Sequence, residues 1–341
     1  MNMELAKLRK TLLLATSLIV ASMAAYYWQA IVASFAPPPP PQKLTLAVTT
    51  YPGSGLPYLA AGMGYFSQEG LEVTLQPHTS GRDALEAALE KHADLGTVAA
   101  IPVMFATMNG QQVSIVATIF TAARAHGIVA RRDRGILSLA DLKGKTIGVT
   151  FRTDAHYILS SLLAKHRLSL DQAHIENIAP EKMQAALKSG EVDAVSTWEP
   201  WLSDVNQATG ANGIEFRTAA DVVLDYNLAG RKDWIAANGD KVQRMLRALL
   251  RAKKFAEEKP QQAHAMIIAL MKIDPGTFST VGPNYRFVVK LDQNLLVTLE
   301  DQARWAIENK FSEQTRVPNF LNVIDATALQ AIQADAVSIV R

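Results

Sequence analysis

The residues best suited to binding a small charged molecule follow a predicted strand at residues 145–151. Arg152 stands where this strand ends and a predicted helix over residues 154–166 begins. A helix N-terminus presents free backbone N–H groups, and arginine can bind an acidic group through two parallel hydrogen bonds. Arg152 is therefore a candidate ligand for a carboxylate, sulfonate or phosphate, and a surface ion pair with Asp154 is the alternative.

The residues after Arg152 have both capping and binding interpretations. Thr153 and Asp154 can each cap the helix, and capping is favoured for Asp154 because an acidic cap weakens anion binding. Thr153 is retained as a candidate ligand. His156 lies one turn into the helix and faces either the cleft or the interior of its lobe, so it is a further candidate.

A second group of candidates follows the predicted strand that ends near residue 197. Trp198 can stack on a ligand, and Glu199 can accept a hydrogen bond from an amine or hydroxyl group. Pro200 and Trp201 are expected to shape the loop and pack in the core instead.

The corresponding loops in the first half of the chain offer mainly hydroxyl groups. Ser80 precedes a predicted helix, so it is as suited to capping as to binding. Thr97 ends a predicted strand and can donate a hydrogen bond. The candidates from these loops and from a returning strand are Tyr51, Ser54, Ser80, Arg82, Thr97, Thr121 and Asn227.

Two copies of one element order position these residues. Residues 44–98 predict strand, helix, strand, helix, strand, and residues 145–197 repeat that order. Such units form parallel sheets flanked by helices, with ligands bound at the carboxyl ends of the strands. The repeat therefore predicts an α/β protein with two similar lobes and a cleft between them.

The remainder of the chain predicts how the lobes are connected. Beyond residue 234 the pattern is helical, with no strand of comparable strength. Lobe one is therefore expected to be split, with crossings near residues 127 and 228. The helices are predicted at residues 241–257, 261–271, 291–309 and 327–340. Lobe one is assigned to residues 43–127 and 228–341, and lobe two to residues 128–227.

The N-terminus predicts export. A basic start leads into an apolar run at residues 11–36, which is long enough to cross a bilayer as a helix. Residues 1–36 are read as an uncleaved inner-membrane anchor, with a signal peptide cleaved after residues 22–24 as the alternative. Residues 37–42 form a proline-rich linker, so the folded part is expected in the periplasm.

Composition excludes several classes of protein. The net charge is +2, and the first 36 residues already contribute this surplus through three basic residues and one acidic residue, which argues against nucleic-acid binding. The absence of cysteine excludes disulfides, zinc–thiolate sites and iron–sulfur clusters. The seven histidines lack metal-ligand spacing, and no nucleophile elbow, phosphate-binding loop or zinc-protease motif occurs. No cofactor, metal or catalytic activity is expected.

Several motifs, in order, resemble the substrate-binding proteins of nitrate, sulfonate and taurine ABC importers. The similarity runs from about residue 43 to about residue 335. The matching segments are 64–66 (GYF) with 69–73 (EGLEV), 93–97 (ADLGT), 141–149 (DLKGKTIGV), 156–157 (HY) and 190–194 (GEVDA) with 198–201 (WEPW).

The resemblance implies a type II periplasmic binding protein, in which two sheet-containing lobes are joined by two crossover strands. Such a protein would capture a small, anionic or sulfonate-like solute and deliver it to a permease and its ATPase. A ligand-sensing module of a signalling system is the alternative, and an enzyme on the same fold ranks last. The chain has Arg152-Thr153 where many relatives have glycine followed by serine or threonine. It also lacks the cysteine-rich iron motif of the branch that makes the thiamine pyrimidine.

Overall fold

The computed structural model describes residues 22–24, 27–28, 40–219 and 222–340. The chain divides into two units, Met1–Pro40 and Pro41–Arg341. In the first unit, residues 22–24 and 27–28 are helical, and the rest of the predicted anchor and most of the proline linker lie outside the described residues. Among the described ranges, no helix combines the length and apolar character needed to cross a bilayer.

Two β-sheets organise the second unit. Its strands in chain order are β1 (Gln42–Thr49), β2 (Leu71–His78), β3 (Leu95–Ala99), β4 (Val113–Ala123), β5 (His126–Arg131), β6 (Thr146–Val149), β7 (His174–Asn177), β8 (Ala194–Trp198), β9 (Gly213–Arg217), β10 (Val223–Arg231) and β11 (Tyr285–Lys290). The first sheet has the order β11-β4-β10-β3-β1-β2, and the second has the order β7-β6-β8-β5-β9.

Helices connect and flank these strands. The α-helices are α1 (Gly55–Gly62), α2 (Tyr65–Gln68), α3 (Gly81–Leu89), α4 (Ala100–Met108), α5 (Asp154–Lys165), α6 (Met183–Ser189), α7 (Trp201–Thr209), α8 (Lys232–Ala237), α9 (Gly239–Glu258), α10 (Pro260–Met271), α11 (Pro275–Val281), α12 (Gln293–Glu308) and α13 (Thr327–Ile332). Short 3-10 helices lie at Pro52–Ser54, Arg132–Arg134, Leu139–Leu142, Leu170–Gln172, Pro180–Lys182, Gly210–Asn212, Gly282–Asn284, Phe320–Val323 and Ala334–Ala336.

The predicted repeat is present in both sheets. In the first sheet β1 lies between β2 and β3 and is parallel to both. In the second sheet β6 lies between β7 and β8 in the same parallel arrangement. Each triplet then meets an antiparallel strand, β10 in the first sheet and β5 in the second. The predicted α/β fold with two sheet-containing halves is confirmed.

Two short segments connect the sheets. Residues 124–125 join β4 to β5, and residues 218–222 join β9 to β10. Gly127 pairs with strands of the second sheet, whereas all of β10 pairs with strands of the first. Residues 223–227, assigned to lobe two from the sequence, therefore pair with the first sheet. The exact division of the chain into lobes stays a prediction.

The C-terminal third differs from the sequence prediction in two places. The expectation of helices alone was wrong for β11, an edge strand that pairs antiparallel with β4. Its pairing partner is distant along the chain, so local helical periodicity around it concealed it. The helix predicted to reach residue 340 ends at Ile332 in α13, because the backbone of Gln333 (φ −153°, ψ 81°) is not helical.

Candidate functional site

A narrow cavity lies where strand ends from both sheets meet. It has about 20 Å³ of free volume, which is room for about one water molecule. This free volume is smaller than an organic solute. Along the chain, the connections between the two sheets run from β4 to β5 and from β9 to β10. The lining residues are Tyr51, Ser80, Gly81, Arg82, Ala99, Pro102, His126, Thr153, Asp154, Trp198 and Tyr226.

Equivalent positions of the two repeats supply much of this lining. Ser80 follows β2 and precedes α3, and Ala99 ends β3 before α4. Thr153 and Asp154 begin α5, which follows β6, and Trp198 ends β8. Five candidates predicted from the sequence line the cavity together: Tyr51, Ser80, Arg82, Thr153 and Trp198.

Asp154 is the main site residue that the sequence argument assigned differently. Its side chain lines the cavity, is only 4% exposed, and its Oδ1 atom has no hydrogen-bond partner among the described residues. Burial raises the pKa of the Asp154 carboxyl to about 7, although the Tyr226 hydroxyl and the backbone N–H of Ile101 oppose the shift. The capping role favoured for Asp154 was wrong: Thr153 occupies the N-cap position of α5, no described side chain caps the helix through a hydrogen bond, and Asp154, the first helical residue, is the acidic group of the cavity.

His126 and Tyr226 are cavity residues that the sequence argument missed. Burial lowers the pKa of His126 to about 3, so the imidazole is neutral at physiological pH. His126 begins β5 and lies 6.4 Å from Trp198, ring centre to ring centre. Tyr226 lies within β10. Both belong to the strands flanking the inter-sheet segments, and this position beside a crossing was the available signal.

One wall of the cavity is aromatic. The Tyr226 ring stacks on Phe120 at 4.4 Å and meets the edge of Tyr51 at 5.6 Å. Burial raises the pKa of both tyrosines, so their hydroxyl groups stay protonated. Trp198 is 5% exposed, and its Nε1 atom has no partner within the described ranges. The wall can therefore contact a flat or apolar group and still donate hydrogen bonds.

Ser80 and Arg82 act at the N-terminus of α3. The Ser80 hydroxyl accepts a hydrogen bond from the backbone N–H of Asp83 at 3.1 Å, so it caps the helix. Arg82 donates from Nη1 to the carbonyl oxygen of Phe151 at 3.1 Å. Because Phe151 follows β6, this hydrogen bond joins the two sheet regions beside the cavity.

Arg152, which the sequence favoured as an anion ligand, does not line the cavity. It adopts left-handed backbone (φ +60°), is exposed, and holds its guanidinium 5.5 Å from the centre of the Phe105 ring. It borders a groove of about 440 Å³ between α3, α4 and the end of β6, which we call the outer groove and which adjoins the cavity at Arg82 and Pro102. Arg152 is thus exposed, whereas Asp154, two residues later, is buried.

His156 and Glu199 also lie away from the cavity. His156 stacks on Phe151 at 4.9 Å and meets the edge of Trp305 at 5.3 Å, and burial lowers its pKa to about 4. Glu199 is fully buried and accepts hydrogen bonds from Arg217 Nη1 at 2.6 Å and the Ser203 hydroxyl at 2.9 Å. Both side chains therefore pack against, or pair with, other residues of the protein rather than lining the cavity.

The remaining candidates stabilise the first sheet. Ser54 shares a short hydrogen bond with the Thr49 hydroxyl, and the Thr97 hydroxyl accepts from the Thr49 backbone N–H at 2.9 Å. Asn227 is buried and accepts from the Thr118 hydroxyl at 2.7 Å. Thr121 lies in β4 opposite Asp225. None of these four candidates lines the cavity.

Within the described ranges, no group of three or more histidine or acidic residues is arranged to hold a metal ion. The lining of the cavity combines one buried carboxyl group, one guanidinium group, neutral hydrogen-bond donors and an aromatic surface. Such a combination binds and orients a polar organic molecule.

Proteins similar in sequence to this chain include named binding proteins. A candidate binding protein of Brucella abortus (strain 2308) is 22% identical over 241 residues, covering 70% of this chain and 74% of the relative. A candidate aliphatic sulfonates-binding protein of Escherichia coli (strain K12) is 25% identical over 192 residues, covering 56% of this chain and 60% of the relative.

Solved structures share the fold. The alkanesulfonate-binding protein SsuA of Xanthomonas axonopodis pv. citri, bound to MOPS, has a TM-score of 0.73 at 20% identity, covering 84% of this chain and 99% of that one. The desulfurization enzyme DSZB has a TM-score of 0.60 at 18% identity, covering 85% of this chain and 98% of that one. The fold thus occurs in both binding proteins and an enzyme.

The match to a family model is extensive. Residues 53–263 match the model described as NMT1/THI5 like, which is more than half of the chain. The resemblance to sulfonate-binding proteins noted in the sequence is thereby confirmed. The chain belongs to the NMT1/THI5-like family.

Proposed function

We propose that this protein is the extracytoplasmic solute-binding component of an ABC importer and captures a small organic acid in the cavity between its sheets. The observation that supports the proposal is the convergence of strand ends and helix N-termini from both sheets on one narrow cavity. A solute contacting both walls favours the closed form over the open form, because only the closed form makes all of the contacts.

The chemistry of the cavity supports an acidic group on the solute. The helices α3, α4 and α5 all begin at the cavity, so the positive ends of their dipoles lie beside it. The Ser80 hydroxyl already accepts from the Asp83 N–H of α3, and the Asp154 carboxyl already pairs with the Ile101 N–H of α4. Arg82 adds a guanidinium group at the start of α3, where it also pairs with Asp83 at 3.5 Å and with Glu86 at 3.8 Å. By analogy with relatives named for sulfonates, we propose a sulfonate or a carboxylate of similar size.

The residues proposed to contact the solute are those lining the cavity. From the sequence candidates, these are Tyr51, Ser80, Arg82, Thr153 and Trp198, to which His126, Asp154 and Tyr226 are added. We propose supporting roles for Ser54, Thr97 and Glu199, because their partners shape the loops that border the cavity.

Location and partners follow from the proposed role. The folded unit would act in the periplasm and deliver its solute to a permease and an ATPase. Anchoring by residues 1–36 stays a prediction, and its check is whether the full-length protein remains in the membrane fraction after a salt wash. A soluble species that begins near residue 25 would contradict anchoring.

Calorimetry on the purified full-length protein tests the proposed function. We expect at least one short-chain sulfonate or carboxylate to bind and to raise the melting temperature, because a ligand of the native state stabilises it. The bound solute should then stimulate ATP hydrolysis by the cognate importer in proteoliposomes. No binding of any organic acid at millimolar concentration would contradict the proposal.

Conversion of the bound solute would favour an enzyme instead. This second candidate rests on the fold shared with DSZB. Mass spectrometry of the solute recovered after incubation distinguishes the two functions, since a binding protein returns it unchanged.

A further inference from the structure

Aromatic rings outside the cavity contact the first turn of α5. The His156 ring meets the edge of Trp305 at 5.3 Å, ring centre to ring centre, and the Tyr157 ring meets the same indole at 5.4 Å. The His156 ring also lies 4.7 Å from the ring of Phe311. We call His156, Tyr157, Trp305 and Phe311 the aromatic clasp. None of these four residues lines the cavity.

The aromatic clasp connects the helices that flank the two sheets. On the second sheet, α5 packs against β5 and β8, and the Ser196 hydroxyl of β8 donates to the Ala155 carbonyl oxygen at 3.0 Å. Trp305 belongs to α12, which packs against α4, and α4 packs against β3, β4 and β10 of the first sheet. The Trp305 ring also meets Phe105 of α4 at 6.3 Å. One indole therefore joins the first sheet region to the helix that begins with Asp154 at the cavity.

The aromatic clasp is buried and is held by ring packing. His156 is 3% exposed and Trp305 is 8% exposed. His156 Nδ1 and Trp305 Nε1 have no hydrogen-bond partner among the described residues. Both atoms would gain hydrogen bonds to water if α5 moved away, which offsets part of the favourable ring packing. The clasp therefore stabilises this position of α5 by a modest amount that a movement of the sheets can overcome.

Two other contacts join the same regions beside the aromatic clasp. Arg82 of α3 donates to the Phe151 carbonyl oxygen at 3.1 Å, and the Arg152 guanidinium lies 5.5 Å from the centre of the Phe105 ring. The Arg82 side chain is 32% exposed and Arg152 is exposed, so water competes for both guanidinium groups. Because the rings of the clasp are buried, we expect them to contribute more to the position of α5.

We propose that Trp305 is a positioning residue for solute binding, which holds the first turn of α5 beside the cavity through His156 and Tyr157. Asp154, which lines the cavity, stands two residues before His156 in this turn. When α5 is held in place before the solute arrives, less binding free energy is spent on rearrangement, so the apparent affinity is higher. The inference rests on the proposed function and adds to it a residue outside the cavity.

Spin labels test the role of Trp305 in the absence of any solute. The chain contains no cysteine, so Glu72→Cys and Glu181→Cys in one protein accept labels at these two positions alone. Glu72 lies in β2 of the first sheet and Glu181 in the 3-10 helix after β7 of the second, and both are exposed. Pulsed electron paramagnetic resonance on this full-length parent protein measures the distance between the two sheet regions. We expect Trp305→Ala to broaden the distance distribution and to shift part of it away from that of the parent.

Two further variants separate positioning from a general loss of stability. Trp305→Phe retains an aromatic ring and should preserve most of the parent distance distribution. Phe278→Ala is the matched control, because Phe278 is 7% exposed and its ring contacts His264 at 5.2 Å, outside the aromatic clasp. Phe278→Ala should lower the melting temperature and leave the distance distribution unchanged.

Calorimetry with ethanesulfonate and propanoate connects the aromatic clasp to binding. Trp305→Ala should weaken both compounds by the same factor, roughly threefold to tenfold, because the contacts of one indole with two rings are lost. The ratio of the two affinities should persist, since Trp305 does not line the cavity. Phe278→Ala should leave both affinities unchanged.

The outcomes distinguish this inference from the proposed function. An unchanged distance distribution in Trp305→Ala, or binding of both compounds as tight as in the parent, overturns the inference and leaves solute binding intact. A changed ratio of the two affinities overturns it as well, because Trp305 would then act on the solute directly. Failure of every organic acid to bind the parent protein overturns both.

Discussion

The two repeats of the folded unit share a sheet order but supply different chemistry to the cavity. The first repeat contributes Ser80 and Arg82 at the start of α3, and the second contributes Asp154 and Trp198. A hydroxyl cap and a cation thus stand opposite an acid and an indole N–H group. The shared topology places the cavity at the strand ends of both sheets. The individual loop residues determine the charge of the cavity walls.

The largest expected effect concerns Asp154 and the stability of the second repeat. The pKa of the Asp154 carboxyl is about 4 in the unfolded chain and about 7 in the folded protein. Ionisation therefore favours the unfolded chain, so the stability of the native state falls as pH rises from about 4 to about 7. Asp154→Asn should remove this loss, so its stability relative to wild type should grow over that window by up to about 4 kcal/mol and then level off. Urea unfolding at several pH values measures the difference.

The matched control for that prediction retains a titrating group. Asp154→Glu should keep a decline in stability between pH 4 and 7, because a buried carboxyl remains. Parallel stability profiles of wild type and Asp154→Asn would show that Asp154 does not titrate in this window.

The next largest effect is expected from Glu199, a buried acid of the second repeat that pairs with Arg217 instead of lining the cavity. Glu199→Ala leaves Arg217 without its fully buried partner and should destabilise the protein by about 3 kcal/mol. Glu215→Ala is the control, because this partner of the same Arg217 is 18% exposed and should matter less. Thermal unfolding measures both variants, and equal losses would contradict the distinction.

A smaller effect is expected from the cap in the first repeat. Ser80→Ala removes the hydroxyl that accepts from the Asp83 backbone N–H, which should cost about 1 kcal/mol of stability. Ser80→Thr retains a capping hydroxyl and should recover most of the loss. If Ser80→Ala leaves stability unchanged but abolishes solute binding, Ser80 is a ligand rather than a cap.

The smallest effect should come from Arg152, which borders the outer groove. Arg152→Gln should change solute affinity by less than about threefold, because its guanidinium contacts Phe105 instead of the cavity. Arg82→Gln, at the cavity wall, is the comparison and should weaken binding more. A greater loss for Arg152→Gln, measured by calorimetry, would reverse this assignment.

Much of the fold was predictable because it depends on hydrophobic periodicity and turn residues within short segments of the chain. The strands of both repeats and the helices α9, α10 and α12 follow from periodicity and from turn residues. The edge strand β11 was missed because its pairing partner lies far along the chain. The sequence also identified the loops that form the cavity, since strand ends of a parallel sheet meet at one edge.

The identity of the side chains that line the cavity was less predictable. Arg152 and Asp154 are two residues apart at the same strand-to-helix junction, yet one is exposed and the other is buried in the cavity. Glu199 follows Trp198 directly but pairs with Arg217 from another strand. Sequence position alone does not distinguish such neighbours, because their directions depend on backbone dihedral angles and distant partners.

Local patterns in the sequence were enough to predict the doubled α/β architecture, the family resemblance and the loops that border the cavity. Only the tertiary structure decided that Asp154, Trp198, Arg82 and Tyr226 share one cavity while Arg152, His156 and Glu199 do not. Element order depends on local hydrophobic periodicity, which a sequence contains directly. The environment of a side chain depends on groups brought together from both sheets, and burial among those groups gives Asp154 its unusual pKa.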